Sequence, residues 1–427
     1  MFVRENRVAI TIYVYYYRFI TTEEIFLKME LSDFDLISNR ADAYLDGINS
    51  HVQNFKEEFS KPDFHMRYSK KTVESFPYLS RNAVEKAMVQ MEEDGYQFTR
   101  KANGNLDSFS LQDVIAIYEQ RKVPKYREKH SKGFVAYFNN LKGGAGKTSA
   151  CVNTIHAIRT EPTLIHHDIR GLVIDLDPQA SATMFLKSRL AVGGQPFTAA
   201  KAMFNKNLTR EELLRDYVFE TDVPGVYIVP AAIDDAFLTT SWLDECEHRL
   251  DGQEPHSLLQ QNIIEKLQGD FDLITVDSGP HMDYFLLNGI VAADALVIPL
   301  PPSPVDFHSS LKYLSQIKIL MRYLTEQDIN VSGKEMIGFM NKFSPHILQH
   351  QESLSGATIC LGEKMLDAHI PELSGFQRCG VTLDTVISVD PSMYDGGRGA
   401  LKSAQDAIYA FSRSFFARTQ LIRSRQS

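Results

Sequence analysis

Cysteine is scarce. The 427 residues hold four, Cys151, Cys246, Cys360 and Cys379, far apart and without a C-x-x-C pair. That spacing excludes a disulfide framework and a zinc ribbon and fits a reducing cytoplasm. Long apolar runs are missing too: the nearest, 8–20, is rich in tyrosine and broken by Arg18, short of the ~20 residues that cross a bilayer. It also lacks a small-residue cleavage site, so it does not read as a secretory signal. Nor is there a surplus of positive charge, since 45 Lys and Arg face 54 Asp and Glu for a net charge of -9. Bulk charge therefore does not favour nucleic acid, and any DNA contact must come from local basic patches. What is present is ordinary globular usage, 44% hydrophobic and 23% charged, in a chain long enough for about two or three domains.

Residues 1–28 are β-prone and aromatic, and Met29 is a second possible start, so 1–34 is set aside as an amino-terminal extension with no function assigned. The next segment, 35–69, is read as helical: from 35 to 59, Ala41, Leu45, Ile48, Val52, Phe55 and Phe59 recur in steps of three and four. This is the seam of an amphipathic helix, serving either dimerisation or packing on its own domain. Within 70–132, Ser80 is a candidate N-cap for a helix with Ala83, Val84, Ala87, Met88 and Met91 on one face and Gly95 as its stop. Two short runs, 96–99 and 108–111, then flank Lys101-Ala102-Asn103-Gly104-Asn105, and Asn-Gly is a strong hairpin signal. Helix plus basic-tipped hairpin outlines a winged helix-turn-helix. Arg81, Asn82 and Lys86 are its candidate DNA-binding residues on the helix, with Arg100 and Lys101 in the wing. Many winged helices bind only protein, so that alternative stays open. Ser110 and Asp113 predict a capping box for the next helix. The run 121–132 carries six basic residues against Glu128 and is expected to be a solvated boundary before a second domain, 133–427.

The second domain opens on an apolar strand, 134–138, which runs into Asn139-Asn140-Leu141-Lys142-Gly143-Gly144-Ala145-Gly146-Lys147-Thr148-Ser149. Strand, glycine-rich loop, Lys-Thr and helix in this order are a P-loop. Glycines let successive N–H groups converge on phosphates at the positive end of the following helix. Lys147 is positioned to reach the β and γ phosphates and Thr148 to offer its hydroxyl to Mg2+. Two further apolar strands, 172–176 and 271–277, carry Asp175 and Asp277, with Asp277 in the position that meets Mg2+ through water. Strands at 225–229, 295–300 and 336–340 complete a mainly parallel sheet, so the expected fold is α/β, preceded by the helical winged domain.

Lys142 ahead of the glycine pair makes Lys-Gly-Gly-x-Gly-Lys-Thr, which resembles the deviant Walker A motif of the ParA/MinD/nitrogenase iron protein superfamily. The resemblance implies ATP and ADP with Mg2+ as ligands, bound by Lys142, Gly143, Gly144, Ala145, Gly146, Lys147, Thr148 and Ser149. It also implies a homodimer in which Lys142 reaches the partner's nucleotide. Asp175-Leu176-Asp177-Pro178-Gln179 resembles the matching segment of partition ATPases, which makes Asp177 the residue orienting the attacking water and Asp175 a support for the loop and the magnesium shell. Asp277-Ser278-Gly279-Pro280 departs from the family's double-proline form. By the same analogy Asn341 and the prolines near 301 approach the base. With the winged segment and Asp306-Phe307-His308-Ser309-Ser310-Leu311-Lys312-Tyr313, the chain from 35 onward looks like the large ParA partition proteins of low-copy plasmids and plasmid-like prophages. Those proteins couple ATP-dependent binding of nonspecific nucleoid DNA to hydrolysis stimulated by a centromere-binding ParB, and repress their own operon at operator DNA.

Other classes compete. A MinD-like ATPase cycling on a membrane would use the carboxyl-terminal Ile408, Phe411, Phe415, Phe416, Leu421 and Ile422 beside Arg413, Arg418, Arg423 and Arg425. The same stretch reads equally as a last core helix, and no stable membrane association is expected. A pure repressor whose P-loop only senses nucleotide is the third reading. A nitrogenase-type reductase lacks its cluster cysteine. For nonspecific DNA, Arg378, Arg398 and Lys402 are the candidate patch, with solvated surface charge as the alternative. The protein is expected in the cytoplasm, associated with the nucleoid.

Overall fold

The computed structural model describes residues 31–59, 64–191, 195–250 and 252–426. Its internal contacts divide the chain into 1–51 and 52–427. The first unit contributes most of helix α1 (Leu31–Phe59), on which Phe34, Leu36, Ile37, Tyr44, Leu45 and Ile48 are exposed. Of the expected seam, Ala41, Leu45 and Ile48 thus face solvent; the side chains of Val52, Phe55 and Phe59 lie outside the described residues, as does all of 1–28.

The second unit begins with the helix-turn-helix. Ser80 caps α2 (Arg81–Glu93) by accepting from the Ala83 N–H, and the buried face is Ala83, Val84, Ala87, Met88 and Met91. Ser110 and Asp113 form the reciprocal capping box of α3 (Leu111–Gln120). The wing is smaller than its Asn-Gly signal suggests. Arg100 pairs with Leu106 in one isolated bridge, while Phe109 pairs with Tyr68 instead. The cause is burial: Phe98 and Phe109 turn into the domain core, edge to face at 5.7 Å, and the next helix already starts at Leu111. That core also takes Ile165, from the chain beyond the P-loop.

Among the described residues one sheet has the order β3-β4-β2-β5-β1-β6-β7-β8. The strands are β1 (Phe134–Phe138), β2 (Gly171–Asp175), β3 (Phe219–Glu220), β4 (Val226–Val229), β5 (Leu273–Asp277), β6 (Ala295–Leu300), β7 (Glu335–Phe343) and β8 (Ile370–Pro371). Only β3–β4 is antiparallel. Strands β1, β2, β5 and β6 are buried at every position, which is why they read as continuous apolar runs rather than alternating ones. Helix α4 (Lys147–Thr160) follows β1. Further helices are α5 (Ser181–Lys187), α6 (Asp235–Thr240), α7 (Tyr284–Ala292), α8 (Pro304–Glu326), α9 (Leu348–Leu361) and α10 (Arg398–Gln426). Apolar clusters form around Trp242 and Tyr137 and around Ile155 and Phe411.

The membrane cue is corrected here. Ile408, Phe411, Phe415, Phe416 and Ile422 are buried, Phe411 against Phe339 at 4.6 Å and Phe415 against Phe138 at 5.8 Å between ring centroids. Helix α10 is a core helix, and no described helix is long and apolar enough to cross a membrane. In the basic run 121–132, Arg121, Lys122, Lys129 and Lys132 are exposed, whereas Lys125 lies 3.0 Å from Asp168 and Arg127 3.2 Å from Asp272. Arg159, at the end of α4, reaches Asp168 at 2.7 Å. One half-buried carboxylate thus joins Lys125 to the P-loop helix, and a carboxylate largely withdrawn from water needs such cations.

Candidate functional site

The site forms at the carboxyl end of β1. Asn139 and Asn140 end the strand buried. The Asn140 amide donates to the Pro299 carbonyl and to Ser310 Oγ, both at 2.9 Å, while its Oδ1 accepts the Lys142 N–H at 2.9 Å. The Asn139 Oδ1 accepts the Tyr313 hydroxyl. The loop entrance is therefore fastened to β6 and α8. Gly144 and Gly146 take positive φ of 75° and 82°, and Gly146 opens α4 with no side-chain cap. The first N–H groups of α4 consequently point, uncapped, at the space over the loop, where an anion is favoured.

Lys147 is buried. Its loss of water pulls the ammonium pKa down, opposed by the charges of Asp277 and Asp177. Thr148 and Ser149 follow, half-buried. Lys142 is about one-third exposed and lies 3.1 Å from Asp306 of the same chain. A hydrogen bond from Ser303 comes first in holding the Asp306 carboxyl below its ordinary value, with Lys142 and Lys342 adding to it.

Strands β2 and β5 set Asp175 and Asp277 side by side in register. Asp175 is committed to its own loop. Its Oδ1 accepts the Asp177 N–H at 3.1 Å, and its Oδ2 accepts the N–H and hydroxyl of Thr183 at 2.9 and 2.8 Å. Burial still raises its carboxyl to about 7. Asp277 differs. Both of its oxygens are buried without a hydrogen-bond partner, although the Thr148 hydroxyl is near enough to favour its charged form. Burial, then the charge of Asp175, push its pKa well up. An orphaned buried carboxylate beside a P-loop threonine fits Mg2+, which is ordinarily held by one or two carboxylates, water and substrate phosphates rather than by a full protein cage. Asp175, expected to share the magnesium shell, has both oxygens occupied by loop donors, so its observed role is to support the loop. Asp177 is buried and accepts the Gln179 N–H at 3.0 Å.

Asn341 stands at the end of β7, where its amide donates to the Ala145 carbonyl at 2.7 Å. Expected near the base, it touches the P-loop itself. The sequence does not single out the neighbouring Lys342, and it names Asn139, Asn140 and Tyr313 only within longer motifs, with no role of their own. The polar Asn-Asn pair closing an apolar strand was the available signal for two of them.

The candidate DNA-binding residues fall into two groups. Arg81, Asn82 and Lys86 are exposed on α2, with Arg81 3.2 Å from Glu85. In the wing, Arg100 pairs with Glu92 and Lys101 lies 3.7 Å from Asp107. Far along the chain, Arg398 and Lys402 are exposed one turn apart at the start of α10, Lys402 2.7 Å from Asp406. Arg378 reaches the segment just before α10, its guanidinium donating to the Asp395 carbonyl at 2.5 Å.

Comparison with known proteins agrees with this architecture. A family profile described as ParA helix turn helix domain matches residues 41–130, and one described as AAA domain matches residues 134–331. A curated relative, Plasmid partition protein A of Escherichia coli, is 42% identical over 395 residues, covering 92% of this chain and 99% of that protein. The Chromosome-partitioning ATPase Soj of Treponema pallidum is 24% identical, over 56% of this chain and 83% of its own length. A solved structure titled Partition Protein superposes with a TM-score of 0.73 at 36% identity, over 92% of this chain and 99% of that one. The chain belongs to the ParA-type plasmid partition proteins: it is an ATP-hydrolysing enzyme working with ATP and Mg2+, an α/β P-loop domain preceded by a DNA-binding helix-turn-helix domain.

Proposed function

We propose that this ATPase drives partition of a low-copy plasmid or plasmid-like prophage by binding nonspecific nucleoid DNA as an ATP-dependent dimer, that a centromere-binding ParB stimulates its hydrolysis, and that it represses its own operon at operator DNA. In this reading Lys147 and the N–H groups of 143–149 hold the phosphates, Thr148 and Asp277 hold the metal, and Asp177 orients the attacking water. Mg2+ supplies charge neutralisation at the β and γ phosphates. Asp175 keeps the Asp177 loop in place, and Lys142 leaves Asp306 to meet the partner's nucleotide.

Support for the dimer comes from the carboxyl edge of the sheet. Phe237 on α6, Met282 after β5, Val305 after β6 and Leu348 after β7 are 74%, 56%, 75% and 72% exposed. Large exposed apolar side chains following the carboxyl ends of four strands suit closure by a second copy. The observation that carries coupling to DNA is at the other end of the P-loop helix: the Tyr68 hydroxyl, in the helix-turn-helix, donates to the Thr160 carbonyl at 2.9 Å. A helix whose start meets nucleotide and whose end meets the DNA-binding domain can bias both.

The test is ATP turnover with DNA, with and without the cognate ParB, alongside sedimentation in ADP and ATP. Turnover stimulated by both, with a shift to dimer in ATP, is the expected result. Hydrolysis without any nucleotide-dependent change in assembly sinks the dimer reading and the role of Lys142.

A further inference from the structure

We propose that Lys342 is a P-loop positioning residue: together with Asn341 it grips two successive loop carbonyls from strand β7 and so fixes the loop in the shape that binds the nucleotide. The inference rests on the ATP reading of the loop and adds a residue to it.

Strand β7 is buried from 337 to 341, and Lys342 is the exposed position before buried Phe343. Its pairing with β8 runs Asn341 to Ile370, then Phe343 to Pro371, with a register shift between them. Lys342 is thus the extra residue of a bulge, and its φ of 58° is left-handed, a conformation that costs an L side chain energy. A bulge re-aims a side chain that a regular strand would send elsewhere. Here the Lys342 Nζ donates to the Gly144 carbonyl at 3.0 Å. The preceding residue does the same one step on, Asn341 Nδ2 donating to the Ala145 carbonyl at 2.7 Å while its Oδ1 accepts the Lys342 N–H at 3.1 Å.

In a planar trans peptide the carbonyl and the following N–H point in opposite directions. Drawing the carbonyls of Gly144 and Ala145 toward β7 therefore turns the N–H groups of Ala145 and Gly146 away from it, into the loop, where the Ala145 N–H meets the Lys142 carbonyl at 3.4 Å and the Gly146 N–H is the one aimed at the nucleotide. The grip also explains Gly146, where a Cβ would stand 2.1 Å from Asn341 Nδ2. The strained backbone at 342 is the geometry that lets both side chains reach the same loop.

Three variants test this, read by equilibrium binding of fluorescent ADP and ATP analogues, steady-state turnover and thermal melting. Lys342→Met keeps the stem and removes the donor. Lys342→Gly removes the stem and suits the left-handed backbone. Both should weaken ADP and ATP binding about ten-fold, the scale of one charge-assisted hydrogen bond, with kcat at saturating ATP within about two-fold of wild type. Lys342→Gly should melt no lower than wild type, and Lys342→Arg should recover most of the affinity. Affinity unchanged in both variants, or Lys342→Gly losing melting temperature in step with affinity, overturns the proposal. Wild-type protein that bound neither nucleotide would overturn the ATP reading beneath it, and the wild-type titration separates that outcome from failure of the grip alone.

Discussion

Lys142 and Asp306, 164 positions apart in sequence, form an ion pair at 3.1 Å within one chain. Both side chains are about one-third exposed, and such pairs are worth about 0–1 kcal/mol. The lysine is held, but weakly. Asp306→Asn should therefore release it, so that the ATP concentration giving half-maximal dimer in sedimentation falls by about two- to five-fold, as that energy allows. A midpoint that does not move means the pair does not restrain Lys142.

Lys147 and Asp177 should separate binding from chemistry. Lys147→Ala removes a buried cation facing two carboxylates and is expected to abolish ATP binding. Asp177→Ala should leave ADP affinity within about three-fold and lower turnover by at least about a hundred-fold, the scale of general-base or water-positioning groups. Fluorescent-nucleotide titration and phosphate release measure the two. An Asp177→Ala protein that hydrolyses at the wild-type rate rejects the assignment.

Stability should depend on pH through the carboxylate pair. Burial pushes the Asp175 carboxyl up from an ordinary 3.8 to about 7, and burial displaces Asp277 in the same direction. A raised carboxyl binds more protons folded than unfolded, so its contribution is most favourable below pH ~4 and is lost as pH rises toward 7, by up to about 1.4 kcal/mol per unit for each group. Urea unfolding without nucleotide from pH 5 to 7 should show that decline, and Asp175→Asn should flatten it. Parallel profiles in the two proteins contradict the linkage.

Asp168 predicts a structural effect of a different kind. Burial alone would raise its carboxyl, yet Arg159 first and Lys125 after it hold the pKa below its ordinary value. Asp168→Asn leaves a buried Arg159 without its charge partner and should cost about 3 kcal/mol in urea unfolding. A loss under about 1 kcal/mol would show that the cations find water instead.

For nonspecific DNA, Arg378→Ala, Arg398→Ala and Lys402→Ala should each reduce the salt slope of binding by about one while leaving operator preference and ATP affinity intact. Fluorescence anisotropy across a salt series reads both. An unchanged slope in the triple variant removes this patch.

Contiguous chemistry was legible in the sequence. The P-loop, the capped helices and the β1, β2, β5 and β6 strands each depend on residues within about ten positions, and a fully buried parallel strand leaves an apolar run that is hard to miss. The wing's turn at Asn103-Gly104 forms, with Lys101 bonded to Asn105 and Asp107 to Thr99, but its length was not legible, because Asn-Gly reports a local turn whereas the burial of Phe98 and Phe109 is decided by the whole domain. The grip of Asn341 and Lys342 on the loop joins residues nearly two hundred positions apart, and nothing local marks it. Asp168 was not legible either, since Lys125 and Arg159 reach it from opposite sides of the P-loop sequence.

Ile165 lies between the P-loop helix and β2, yet it fills the core of the helix-turn-helix. A fragment cut at the sequence boundary near 132 would carry a hole where that side chain belongs and would also lose the Thr160 acceptor of Tyr68. The two halves of this chain are therefore poor candidates for exchange with other proteins: grafting the DNA reader onto another enzyme would require carrying the loop at 165 along with it.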